Sequence, residues 1–187
     1  TSAMNDFSDL GIFKSNTNIN NELLTLKSPT LMTEVVNRLG LNETFTIRKG
    51  LKNVDLYKVS PVTITFCDKI EVPLSFTIKF SSKEAFAISE LEISGEDIGE
   101  TLSAQMGDSI QTSAGIMIVS PTQEFTDAFI GTSIRYVRGS VRAAVDTYSN
   151  ALVAELGNED ATIINLSIND TSIRKAEDIP VSYTHLT

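Results

Sequence analysis

LLTLKSPTLMTEVVNRLGLN, residues 23–42, is the stretch from which the fold reads outward. Ser28 and Pro29 make a helix start: the serine hydroxyl can cap free backbone N–H groups, and proline in the first turn loses no hydrogen bond. Leu31, Val35, Val36 and Leu39 then share one face, and Gly40 stands where a left-handed C-terminal cap is wanted. The preceding NNELLTLK carries a short apolar stripe of its own.

Beyond Asn42 the hydrophobic period changes from 3.6 to 2. Phe45 and Ile47, then Val62, Ile64 and Phe66, then Leu74, Phe76, Ile78 and Phe80 alternate with polar residues, which predicts half-buried strands. Polar breaks at Asp68-Lys69, 81–83, 94–97 and 106–108 favour antiparallel hairpins with one wet face. Thr101–Gln105 and Gly115–Val119 are expected to pair and close this lobe, and a strand near Ile134–Val137 to connect onward. Helical spacing returns with Ser140 as cap, a stripe of Val141, Ala144, Val145, Tyr148, Leu152 and Leu156, and Gly157 as terminator. Ile164, Leu166 and Ile168 then mark a strand, and Asp170 is expected to cap a last helix through IRKAEDI that Pro180 stops.

The order helix, β-rich stretch, helix, strand, helix is neither a repeat nor a regular βαβ array, so the class is α+β. The division read from it is 1–43 as the first part of an α/β base, 44–132 as a β-rich insertion, 133–179 as the second part of the base, and 180–187 as a disordered or non-native tail.

At 187 residues and 41% hydrophobic, the chain can bury one sizeable core and a second small lobe. A net charge of −9 with scattered Lys and Arg argues against nucleic acid, whose affinity comes largely from cations displacing counterions. The longest apolar runs, such as Ile116–Val119, fall far short of the ~20 residues a spanning helix needs, so the residues are expected to be soluble. The start TSAMNDFSDLGIF lacks the basic and apolar regions of a signal peptide. The lone Cys67 cannot form an internal disulfide, and in an alternating segment it reads as a small buried hydrophobe.

No pattern carries chemistry. His185 is the only histidine and lies near the chain end, so neither a metal centre nor a Ser/His/Asp or Cys/His arrangement is expected. Glu90, Glu92, Glu96, Asp97 and Glu100 form the densest carboxylate group, but without calcium-loop spacing; they read as a solvated turn. The glycines match neither a P-loop nor a dinucleotide fingerprint. Asn-x-Ser/Thr triplets begin at Asn42, Asn165 and Asn169, the second in mid-strand. The expectation is therefore no catalytic residue, no cofactor and no metal.

Two segments, SPTLMTEVVNRLGL and ATIINLSINDTSIRKAEDIP, together with the lead-in DLGIFKSNTNINNELLTLKSP, resemble the Wzz-type chain-length determinants, the polysaccharide co-polymerases of bacterial surface glycans. The likeness is to the long, Bacteroides-type exopolysaccharide form, in which a β-rich insertion separates two base segments. It covers about a third of the chain. The resemblance implies a membrane-proximal base in the periplasm, flanking helices in the inner membrane, and self-association of the membrane protein. It also implies a polymerase and a lipid-linked glycan as partners, for capsule, exopolysaccharide or O-antigen, and in some members a cytoplasmic tyrosine autokinase elsewhere in the protein. The implied role is a non-enzymatic scaffold. A β-rich module binding carbohydrate or protein at the cell surface is the alternative, although the chain has no Trp for a sugar-stacking platform. A hydrolase would need a paired-carboxylate cleft that sequence does not reveal.

Overall fold

The computed structural model describes residues 21, 24–70, 72–156, 163–170 and 172–186. Helix α1 (Pro29–Leu39) begins as the sequence dictates, with the Leu31 N–H donating to Ser28 Oγ at 3.2 Å, and ends at Gly40 with φ +62°. Its buried face comprises Leu31, Met32, Val35 and Val36, so Met32 takes the place expected for Leu39.

Residues 40–143 form one compact unit. Its strands are β1 (Glu43–Lys49), β2 (Lys52–Asp55), β3 (Val62–Phe66), β4 (Leu74–Phe80), β5 (Ala85–Ile93), β6 (Glu96–Asp97), β7 (Leu102–Gln105), β8 (Ser109–Thr112), β9 (Gly115–Pro121) and β10 (Ser133–Arg138). A seven-stranded sheet runs β2-β1-β10-β4-β5-β6, with β7 also paired to β5; a three-stranded sheet runs β3-β9-β8. Every strand pairing is antiparallel. The two sheets share one core, in which Phe76, Ile78, Phe80, Ile134 and Tyr136 from the larger sheet meet Val62, Met117 and Val119 from the smaller, all 0–1% exposed. Aromatic rings organise it: Tyr136 sits 4.9 Å from both Phe45 and Phe76, and Phe80 lies edge-on to Phe125 at 5.1 Å.

Several expectations change here. Thr101–Gln105 and Gly115–Val119 do not pair: β7 joins β5, while β9 lies between β3 and β8. Both segments alternate, and alternation says which residues face the core but not which strand lies alongside. The segment near Ile134–Val137 is no connector. It is β10, hydrogen-bonded between β1 and β4 in the middle of the sheet, so the unit extends past 132 to 143. Cys67 is exposed, one residue beyond the end of β3, and not buried.

The second unit gathers the described residues of 1–39 and 144–187. Helix α2 (Val141–Ala151) opens with Ser140 Oγ accepting from the Ala143 N–H at 3.1 Å, as expected. It stops five residues before Leu156, because Leu152–Leu156 is strand β11, antiparallel to β12 (Ile164–Ile168). The reason is that Tyr148, Leu152 and Leu156 are spaced by four, which puts residues on one face of a helix and equally on one face of a strand. β12 exposes Asn165 and Ser167 and half-buries Ile164, Leu166 and Ile168, the alternation expected of it.

Helix α3 (Ile173–Thr184) is capped by Ser172, whose hydroxyl accepts from the Lys175 N–H. Asp170, expected to cap it, instead accepts from the Ser172 N–H at 2.7 Å in the preceding turn. The helix runs through Pro180, burying Ile179, Ser182 and Tyr183 and packing on α1 and β12. Residues 180–184 are therefore helical and not disordered, the burial of Ile179 and Tyr183 outweighing the hydrogen bond that proline removes. The 1–20 lead-in, part of the NNELLTLK stripe and the Gly157 terminator lie outside the described residues.

Candidate functional site

The acidic stretch expected to be a solvated turn is in part built into the large sheet. Glu90 and Glu92 lie on β5, and the register places Ser75 opposite Glu92 and Thr77 opposite Ser89. Two residues, Glu90 and Leu91, thus face Phe76 alone, a β-bulge with Glu90 in the left-handed region at φ +54°. The bulge sends Leu91 into the core, 1% exposed, and leaves Glu90 at the surface.

Arg135 on the neighbouring β10 reaches across this bulge. Its Nη2 donates to Ser75 Oγ at 2.8 Å and lies 3.0 Å from Glu92 Oε2; its Nη1 donates to the Glu90 carbonyl at 3.2 Å and lies 3.5 Å from the Glu90 carboxylate. Ser75 donates to Glu92 at 2.9 Å and Thr77 to Glu90 at 2.6 Å. The five side chains form a closed polar network around one guanidinium, and a cation with two carboxylates gives it one net negative charge.

A second ion pair stands at the same end of the sheet. Arg138 and Glu43, opposite each other on β10 and β1, are each about a quarter exposed and directly hydrogen-bonded. The Arg138 guanidinium also sits over the Phe66 ring, 5.3 Å from its centre. Burial raises the Glu43 carboxyl above its ordinary value against the opposing pull of Arg138. Burial first, and the Glu43 charge second, hold the Tyr136 phenol far above its usual range. Beside Arg138 an open cleft of about 220 Å³ is lined by Pro73, Ser75, Glu92, Val137, Arg138 and Gly139, among others.

This arrangement can hold a polar ligand at its rim, but each polar group that faces the cleft already has an internal partner. Glu92 is tied to Arg135 and Ser75, and Arg138 to Glu43. Ser75, the one hydroxyl there, donates to the Glu92 carboxylate and accepts from Arg135, which is itself paired with that carboxylate. Among the described residues no three His, Cys, Asp or Glu side chains converge to hold a metal ion. His185 caps the C-terminus of α3, exposed, while Cys67 and the carboxylates of Glu96, Asp97 and Glu100 take no part in the network.

Of Arg135 and Arg138, only the second leaves a signal in the sequence. In SIRYVR the inward residues are Ile134, Tyr136 and Arg138, and in ETFTI they are Glu43, Phe45 and Ile47. A charge at a core-facing position of each of two strands asks for a partner. Among the described residues no helix is long and apolar enough to cross a membrane. No family model matches the chain, and no curated protein matches it.

Proposed function

We propose that the chain is the periplasmic part of a chain-length determinant, a non-enzymatic scaffold that sets the extent of polymerisation of a surface polysaccharide. The supporting observation is the split architecture. The unit that contains α1, β11, β12 and α3 is interrupted in sequence by a self-contained β lobe, and the two segments that carry the Wzz-type resemblance fall almost wholly within the interrupted unit. In this reading the work is geometric: a membrane-anchored base presents the β lobe toward the polymerase and the lipid-linked glycan, and copies of the protein assemble around the growing chain. The self-satisfied polar network suits such a role, since it stiffens a presenting surface without preparing a reactive group.

The test is replacement of lobe surface residues, Glu92→Lys and Val137→Asp among them, in a membrane-tethered protein expressed in a strain lacking its own determinant. The expected result is a shifted modal length of the surface glycan on gels. Unchanged length distributions across a panel of such variants that still fold would overturn the reading. The cleft beside Ser75, Glu92 and Val137 favours a second reading, a carbohydrate-binding module, for which selective retention on a glycan array by the isolated chain is the distinguishing result.

A further inference from the structure

The tip of the β1–β2 hairpin departs from the rest of the molecule in charge and in exposure. Arg48 to Val54 are seven consecutive exposed residues, RKGLKNV, with three cations and no carboxylate, in a chain whose net charge is −9. Gly50 at φ +63° and Leu51 form a two-residue loop, with glycine at the position where a left-handed conformation is needed and no such demand at the second. The turn therefore does not require leucine, yet Leu51 is 95% exposed at the apex, with the partly exposed Val54 on the return strand.

The register points the same way. Lys49 and Lys52 are directly opposed next to the turn, a like-charge pair that weakens a hairpin. Among the described residues neither pairs with a carboxylate. Arg48 Nε is turned onto the Gly50 carbonyl at 3.2 Å, which holds a third cation at the tip. The nearest acid on the hairpin, Asp55, accepts a hydrogen bond from the Tyr57 backbone at 2.9 Å. The fold thus keeps an intrinsically unfavourable pair of lysines around a bare apolar apex.

From this juxtaposition we infer that the β1–β2 hairpin docks on an anionic lipid bilayer, Leu51 entering the interfacial layer while Arg48, Lys49 and Lys52 meet the headgroup charges. Cations flanking a single apolar side chain suit a surface with negative charge above and hydrocarbon below; a soluble polyanion offers nothing to Leu51. With one apolar anchor and three charges the contact is weak. It holds the β lobe at the bilayer surface reversibly. This inference rests on the hairpin alone and stands whether or not the chain is a polysaccharide scaffold.

The chain has no Trp, so Leu51→Trp creates a single reporter. With equimolar phosphatidylglycerol and phosphatidylcholine vesicles at low salt its emission should shift to the blue, with no shift on phosphatidylcholine alone and reversal at high salt. Ile173→Trp, at a 76% exposed position in the other unit, should not shift. In co-sedimentation, Lys49→Gln with Lys52→Gln should weaken partitioning of the whole chain roughly 25-fold, the product of about fivefold for each cation. Circular dichroism of each variant checks that the fold is kept. An absent shift in the L51W protein, an equal shift in the I173W protein, or binding indifferent to the lysines overturns the inference; so does a polyanion such as heparin binding as tightly as vesicles with no change in L51W emission.

Discussion

Glu90 offers the sharpest test of the structure, because its backbone and its side chain pull in opposite directions. A non-glycine residue in the left-handed region is disfavoured by about 1–2 kcal/mol, and Glu90 stands there at φ +54°. Its carboxylate accepts from Thr77 at 2.6 Å and approaches Arg135 at 3.5 Å, but the side chain is 68% exposed, so solvent screening leaves these contacts only ~0–1 kcal/mol. Glu90→Ala removes the contacts and keeps the strain, and should destabilise the β lobe by about 0.5 kcal/mol. Glu90→Gly removes both. The relief of strain is partly offset by glycine's larger unfolded-state entropy, ~0.5–1 kcal/mol. Glycine is therefore expected to exceed alanine by ~1 kcal/mol, about fivefold in the folded-to-unfolded ratio. Urea unfolding followed by far-UV circular dichroism, at equal slope, measures the difference. Alanine equal to or better than glycine would mean that residue 90 is not in the left-handed region, and the bulge that aims Arg135 at the Glu90 carbonyl would fall with it.

Replacing Pro180 in α3 by alanine restores a main-chain donor toward Ala176. A proline interior to a helix is ~3 kcal/mol poorer than alanine, less ~1 kcal/mol for proline's stiffer unfolded chain, so Pro180→Ala should raise Tm by several degrees; a lowered Tm would place the helix end before 180. Glu43, whose carboxyl is raised above 4.5 mainly by burial, holds its proton more tightly folded than unfolded. Its contribution to stability is therefore complete below pH 4.5 and declines as pH climbs through the folded value. Arg138→Met removes the opposing charge and should move the Glu43 titration, followed by carbon NMR, to still higher pH; an unmoved titration would separate the two side chains. Cys67 should react with a thiol reagent in the native protein within about tenfold of its rate in denaturant, since it lies exposed beyond β3; strong native-state protection would return it to the interior.

How much of this was legible follows from the range of the forces involved. Local signals were read correctly where the chain alone satisfies them. Ser28 and Ser140 cap their helices, Gly40 terminates α1 in the left-handed region, and the alternation in β3, β4 and β12 orients their apolar faces. The α+β class follows from those elements. The polar network was not legible, because Arg135, Ser75 and Glu90 are brought together by pairing β10 with β4 and β4 with β5 across up to 60 residues of chain.

By itself the sequence determined where α1 and α2 begin, which residues of β3, β4 and β12 face inward, and that no familiar catalytic or metal-binding spacing is present. Only the tertiary structure decided strand partnership, the conversion of 152–156 from helix to strand, and the passage of α3 through Pro180. The physical reason is common to all three. A spacing of four residues suits a helix and a strand alike, alternation leaves the neighbour unspecified, and a proline ends a helix only when burial beyond it is too small to outweigh one lost hydrogen bond. Each of those contests is settled by side chains distant in sequence.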